Sequence, residues 1–258
     1  MNSSLETRIN AQQQKQWLWI IISALIVVVF AGYQFYTQSI PYLAEKIAAA
    51  IPKSIYQAID KNSLSTLDNA ELKNSNLSEA KQQELQLLFD ELVKDKSDSE
   101  REFKLKFRNW NDQANAMALA NGTIVITDAM VNLATDKQEL SAVLLHEIGH
   151  IEHNHVMESL VSSSIVYVSL SFLLGDISAV SDIALQGTVV GIHNSYSRQA
   201  ELEADKYALA KLNALYGSDQ AIKSVLSKLE KEHNSEFSWL STHPSFDARI
   251  EQIERTAP

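Results

Sequence analysis

The stretch Asp136-Lys-Gln-Glu-Leu-Ser-Ala-Val-Leu-Leu-His-Glu-Ile-Gly-His-Ile-Glu-His-Asn-His155 decides how this chain is read. Asp136 can cap a helix and Glu139 follows three residues later, as in a capping box. Leu140, Val143, Leu144, Ile148 and Ile151 then recur at helical spacing, so the pattern predicts a helix from Asp136 to about Ser159. His146 and His150 stand four residues apart on it. They project from one face about one turn apart, where two imidazoles can hold one metal ion while Glu147 points at a bound water. In a chain of this composition, chance yields such a His-Glu-x-x-His match roughly 0.014 times. The bland alternative, two surface histidines on an amphipathic helix, fits poorly with the uncharged neighbours Leu144, Leu145, Ile148, Gly149 and Ile151. Two ligands beside a carboxylate suit hydrolysis by metal-activated water, with Glu147 as general base.

A catalytic zinc needs a third protein ligand and an open position. The 258 residues contain no cysteine, which excludes disulfides, thiolate zinc sites, iron–sulfur ligation and a lipoprotein anchor, and leaves His, Asp or Glu. The best candidate lies in Ser197-Arg-Gln-Ala-Glu-Leu-Glu-Ala-Asp205. Glu201 and Asp205 share a helix face there, Ala204 and Ala208 permit close packing, and Glu203 points off that face. Glu201 is therefore expected as the third metal ligand. Asp205 is expected to accept the free N–H of a metal-bound imidazole. Read alone, the segment is an exposed acidic helix. Helices are predicted from Ser197 to about Asn213 and from Asp219 to about His233, and Pro244 marks a further helix start.

Between Lys15 and Glu45 lie 29 residues without a formal charge. Within them, Trp17 to Tyr36 reads as a transmembrane helix, with Trp17 and Trp19 at one end and Tyr33, Phe35 and Tyr36 at the other, as interfacial belts require. The run exceeds the apolar core of a signal peptide, the competing reading, and no clear A-x-A site follows. The expected organisation is a short tail over 1–16, a membrane helix over 17–36 and a metallopeptidase domain over 37–258. That domain has a helical lead-in over 40–96 and a catalytic core at about 110–255. Arg8 and Lys15 precede the span and Lys46 and Lys53 follow it, so charge barely orients it, and the domain is assigned weakly to the exported side. The net charge of −10 argues against a nucleic-acid partner.

The fold class expected is mainly α with a small sheet. Ala44–Ile59 and Ser78–Val93 read as amphipathic helices and Lys94–Lys106 as a solvated loop. Ala114–Ala120 and Thr123–Thr127 flank Asn121-Gly122, the strongest short-range hairpin signal, and an exposed sheet edge there could accept an extended peptide. Leu160–Asn194 is apolar, with Asp176 and Asp182 its only charges. It fits either helices packed over the catalytic region or a hairpin dipping into the bilayer.

Four ordered blocks between about Asn115 and Ile253 resemble peptidase family M48, the membrane-linked metalloproteases of HtpX-like, CAAX-prenyl-protease-like and Oma type. They are Asn-Ala-Met-Ala-Leu-Ala-Asn-Gly122, His146-Glu-Ile-Gly-His-Ile-Glu-His-Asn-His155, Ser197-Arg-x-x-Glu-x-Glu-Ala-Asp205 and Thr242-His-Pro-x-x-x-x-Arg-Ile250. The resemblance implies a zincin-like domain with one zinc ion on His146, His150 and Glu201, Glu147 as general base and Asp205 behind the ligands. It implies that the strand Ala116, Met117, Ala118 and Leu119 receives substrate as an added strand. His243 matches a family histidine near the metal, as oxyanion stabiliser or inhibitory fourth ligand. Arg249 would orient acidic neighbours, His155 would be a structural hydrogen-bonder, and His153 is read as exposed. One convincing span and the lack of tandem repeats argue against a multi-span prenyl-protein chamber.

The function expected is a membrane-anchored zinc metalloendopeptidase that cuts misfolded or membrane-associated proteins, a quality-control role the resemblance implies. Its partners would be extended protein or peptide substrates and the lipid bilayer. The competing class is a noncatalytic zinc-bound chaperone that holds unfolded chains. A latent enzyme closed by Leu160–Asn194 or by His243 is a third possibility.

Overall fold

Pro41 and Pro52 punctuate the first third of the chain, and the helices there follow from them. The computed structural model describes residues 3–97, 99–174, 196–231, 239–244 and 246–256. Helix α1 (Ser3–Gln34) passes through one π-helical turn, Phe35–Ser39, into α2 (Ile40–Ala50). Pro41 lacks an N–H and so disturbs the hydrogen bonds of the turn before it. Ala44–Ile59, expected as one helix, is two: Ile51 and Pro52 are extended, and α3 (Lys53–Ala70) starts after them. The residue before a proline is pushed out of the helical region, which is the physical reason for the break.

Helix α4 (Glu79–Leu92) begins where Ser78 accepts the Lys81 N–H, as its sequence signals. The region Lys94–Lys106, expected as loop, instead contributes to the sheet. A single 3-10 turn at Lys94–Lys96 is followed by β2 (Lys104–Asn109), which pairs with β1 (Lys73–Asn74) on one side and runs parallel to β4 (Thr123–Thr127) on the other. Its charges misled the reading: Leu105 is buried and Phe107 packs against the core, while Lys104 stays exposed. Strand β3 (Ala116–Ala118) pairs antiparallel with β4 through the expected turn, giving the order β1-β2-β4-β3. Gly122 needs to be glycine, because at φ +114 a Cβ would meet the Glu102 carbonyl oxygen at 2.8 Å. Asp60 of α3 fixes this turn by accepting the N–H groups of Asn121 at 2.6 Å and Thr123 at 3.2 Å.

Side chains alternate across β3 and β4. Ala116, Ala118, Ile124 and Ile126 face the main core, whereas Met117 and Val125 join Leu67, Leu72 and Trp110 on the other side. After α5 (Asp128–Leu133), helix α6 (Lys137–Glu152) lies on the main-core face, against β3 and β4. Asp136 caps it by accepting the N–H groups of Gln138 and Glu139, but Glu139 reaches back to the Thr135 N–H rather than closing a box on Asp136.

The helix expected from Asp136 to about Ser159 is also two. Asn154 adopts φ 64, a left-handed conformation that ends α6 and starts α7 (His155–Leu174) in a new direction. The Arg101 guanidinium braces this corner by donating to the Ile151 carbonyl and to Asn154 Oδ1. Helix α8 (Arg198–Tyr216) packs along α6, α9 (Gln220–Lys231) also packs on α6, and the short α10 (Trp239–Thr242) leads to α11 (Phe246–Thr256) against α8. The expected region Leu160–Asn194 is described to Leu174; the rest lies outside the described residues.

Candidate active site

The close approach of α6 and α8 builds the site. A Cβ on Gly149 would sit 3.0 Å from both Cα and the carbonyl oxygen of Ala204, so glycine facing alanine lets the two helices meet at backbone distance. That brings Glu201 between the histidines of α6. His150 Nε2 lies 3.0 Å from His146 Nε2, and Glu201 lies 3.4 Å from His150 Nε2 and 3.6 Å from His146 Nε2. His243, just after α10, adds Nδ1 at 3.0 Å from Glu201 Oε1 and 3.3 Å from His146 Nε2. One ligand atom from each of His146, His150, Glu201 and His243 falls within 4.8 Å of the others, and all four residues are buried.

The charges around this cluster compensate one another. Arg249 of α11 donates through Nε and Nη2 to the two oxygens of Asp205, each at 2.7 Å, and its Nη1 lies 2.8 Å from Glu201 Oε2. Asp205 Oδ1 also lies 2.9 Å from His146 Nδ1. Burial alone would raise the Asp205 carboxyl, but Arg249 and the His146 hydrogen bond hold it down at about 2. For Glu201, the His243 ring and Arg249 likewise outweigh burial and keep the carboxyl well below its ordinary range. Burial drives His150 well below the usual imidazole value, which leaves it neutral.

Two buried carboxylate oxygens, Glu147 Oε2 and Glu201 Oε2, lack a hydrogen-bond partner among the described residues; Arg249 Nη1 is near the latter but poorly aligned. Buried lone pairs without donors, beside imidazoles that are not both donors, are what a divalent cation and its water satisfy. Three nitrogens and a carboxylate, with no sulfur, suit zinc chemistry.

Each expected site residue has a definite place. Glu147 belongs to the same pocket, with Oε1 3.4 Å from His243 Nε2. Asp205 and Arg249 lie behind the histidines, and Ala116, Met117, Ala118 and Leu119 form the edge strand and its continuation, packed against α6. Leu119 is buried with Met117 in the second core cluster. His155 is buried, with Nδ1 3.1 Å from His150 Nδ1, and its Nε2 meets Glu203 at 3.2 Å. Glu203 thus lies off the ligand face yet backs His150 through a second ring. His153 is exposed.

Sequence reasoning missed Trp239 and Tyr196. The Trp239 indole N–H donates to Glu147 Oε1 at 3.2 Å, its ring stacks on His243, and the Arg249 guanidinium lies 4.7 Å from its centre. Tyr196 stacks on His150 with centroids 3.9 Å apart. Trp239 sits four residues before His243, so proximity to the Thr-His-Pro block was the available signal; for Tyr196 there was none.

The chain is similar to known proteins. The chain is 30% identical over 160 residues to the Beta-barrel assembly-enhancing protease of Yersinia pestis, a match covering 57% of this chain and 33% of that protein. It is 30% identical over 144 residues to Metalloprotease LoiP of Escherichia coli (strain K12), covering 54% and 57%. With the mitochondrial Metalloendopeptidase OMA1 of Bos taurus the identity is 33% over 161 residues, covering 56% and 30%. The chain thus spans between about a third and somewhat over half of the length of these relatives. The family match is broader, taking in residues 79–257, from the start of α4 through α11 and every residue of the buried cluster. The chain belongs to peptidase family M48.

Proposed function

We propose that the chain is a membrane-anchored zinc metalloendopeptidase of protein quality control, acting on misfolded or membrane-associated proteins in extended conformation. One observation carries the reading: four potential ligand atoms within 4.8 Å of one another, beside a buried Glu147 oxygen that has no hydrogen-bond partner among the described residues. Relatives named as proteases and metalloendopeptidases support it, and the name of the Yersinia pestis relative supports membrane-protein substrates. Residues 17–36 would be the anchor and 37–258 the peptidase domain, with its lead-in over 40–96, its core at about 110–255 and an exported location.

His146, His150 and Glu201 would hold one zinc ion, which when bound supplies a polarised carbonyl and an acidified water. Glu147 takes the proton of that water on Oε2 and passes it to the leaving amine, while Trp239 keeps Oε1 engaged so that the free oxygen holds one orientation. Asp205 accepts the Nδ1–H of His146, which turns the Nε2 lone pair towards the cluster. Arg249 steadies Asp205 and Glu201 together. His243 is placed to stabilise the oxyanion or to act as a fourth ligand. On β3, the bonds Leu119 N–H to Thr123 and Thr127 N–H to Asn115 direct the odd residues at β4, so the backbone groups of Ala116 and Ala118 turn away from β4 on the side an added strand would pair with, although the edge expected to be exposed is buried here, with Ala116 and Ala118 both covered.

The test compares wild type with Glu147→Gln for casein cleavage, with and without chelator. Cleavage should fall by about 10³-fold or more in the variant and vanish on chelation, with metal content of the variant retained. Equal activity in all conditions refutes catalysis and favours the zinc-bound chaperone. The complete burial of His146, Glu147, His150 and His243 favours a second reading, a latent enzyme closed over its own site. Faster turnover in His243→Ala supports latency, and unchanged or lost turnover rejects it.

A further inference from the structure

Helix α7 leaves the metal centre in an unusual state: its first residue touches a candidate ligand and its last turns are bare apolar surface. His155 meets His150, whereas Phe172 is 82% and Leu173 78% exposed, with Leu170, Val168 and Tyr167 exposed along the same helix. From Ser159 to Leu174 there is no formal charge.

The position of α7 relative to the first apolar helix gives this surface its meaning. Tyr56 Oη bridges the Ala48 carbonyl and Asn154 Oδ1, so the end of α2 lies level with the start of α7. Glu45 acts on Glu158, and with burial as the larger cause it pushes that carboxyl up to about 7. Helices α2 and α7 pack along each other, and α2 buries one stripe, Ile40, Ala44 and Ala48, at successive i+4 positions. The two helices are therefore antiparallel, with Glu45, Lys46 and Glu158 at one level. Beyond that level α7 runs beside the uncharged run 16–44, whose side of the pair exposes Tyr36, Tyr42 and Leu43.

We propose that α7 beyond Glu158 enters the same lipid bilayer as the first apolar helix, so that the chain makes a second membrane excursion between its histidine pair and Glu201. The proposal rests on the reading of residues 17–36 as a membrane anchor. Fifteen residues, 160–174, reach about 22 Å as a helix, most of the roughly 30 Å hydrocarbon layer. Two of the serines along the way are internally satisfied, as lipid demands: Ser163 and Ser164 donate to the carbonyls of Ser159 and Leu160, each at 2.8 Å, and Ser171 is buried. The chain returns to the starting side by Glu201, because Glu201 lies against His146 and His150. The metal centre is thereby pinned at the membrane surface, within one helical turn of the lipid-entry level.

The absence of cysteine makes the test direct. Single-cysteine variants Phe172→Cys, Val28→Cys and Leu87→Cys of the full chain are reconstituted in phosphatidylcholine vesicles; all three positions are exposed, so folding is undisturbed. A thiol in hydrocarbon stays protonated, so a charged, membrane-impermeant maleimide should react about tenfold or more slower at Phe172→Cys and Val28→Cys than at Leu87→Cys. A bimane attached before reconstitution should be quenched by nitroxide-labelled lipid at the first two sites alone. Fast labelling at Phe172→Cys overturns the proposal. So does protection without lipid quenching, which marks cover by protein such as a second copy. If Val28→Cys is quenched and Phe172→Cys is not, the second excursion fails while the anchor stands; if neither is quenched, the anchor reading fails as well.

Discussion

The helix pairs α6/α8 and α2/α7 use the same device, small residues at the line of closest approach, to opposite ends. Gly149, Ala204 and Ala208 bring α6 and α8 together around Glu147, Glu201, Asp205 and Arg249, all fully buried. Ala44 and Ala48 bring α2 against α7, and the outer faces of that pair are apolar and bare. One pair is polar inside, where water is excluded; the other is apolar outside, where a water-soluble protein would be polar. The difference teaches that burial here follows compensation. Charge is buried where an opposite charge or donor meets it, and, on the proposed membrane reading, apolar surface is left open where lipid takes the place of water.

The largest expected effect breaks the polar pair. Arg249→Met leaves Asp205 and Glu201 as buried anions without their guanidinium and should cost about 3–5 kcal/mol in urea unfolding of the metal-free protein in micelles, part of it recovered by added zinc. A loss below about 1 kcal/mol would show that the buried charges do not depend on one another. Gly149→Ala comes next. The methyl group forces α8 off α6, costing about 1–3 kcal/mol, and moves Glu201 from the histidines, so zinc affinity measured by calorimetry should fall too. Unchanged affinity breaks the link between helix spacing and the metal centre.

Smaller effects sharpen the same contrast at its margins. Glu139 near the start of α6 accepts from Lys228, Ser224 and Thr135, and although burial alone would raise its carboxyl, these donors hold it below the ordinary value. A carboxyl lowered by folding stabilises above its unfolded value and loses that contribution as the pH falls through its folded value. Glu139→Gln should therefore cost about 2 kcal/mol at pH 7, with the gap to wild type closing under acid, read from thermal unfolding against pH. A gap that widens under acid reverses the assignment. His155→Ala removes the ring behind His150 and should weaken zinc binding about tenfold, with the fold intact.

Much of this contrast was legible in the sequence, and what was not has identifiable causes. Periodicity places His146 and His150 on one face with Glu147 beside them, and the Asn121-Gly122 turn pairs β3 with β4, because both are local signals. The family blocks pointed to His243 and Arg249, far along the chain. Trp239 offered only its nearness to the Thr-His-Pro block: an indole's hydrogen bond to a carboxylate 92 residues away leaves no local pattern. Strand β2 was hidden by its lysines and arginine, which extend from a half-exposed strand while Leu105 points inward. The breaks at Pro52 and Asn154 show two kinds of terminator: one is written in residue type, and the other depends on the Arg101 and Tyr56 contacts that hold a left-handed asparagine.

The smallest expected effect probes the apolar pair. Leu144, fully buried on α6, and Phe172, on α7, are both apolar helix residues. Leu144→Ser opens a cavity and buries a hydroxyl, so a cost of about 3 kcal/mol or more is expected wherever the protein is measured. Phe172→Ser removes a larger side chain but one that is 82% exposed, so unfolding in micelles should change by less than about 0.5 kcal/mol. If Phe172→Ser costs as much as Leu144→Ser, the exposed face of α7 is an interior surface covered by protein in solution, and the two helix pairs obey one rule instead of two.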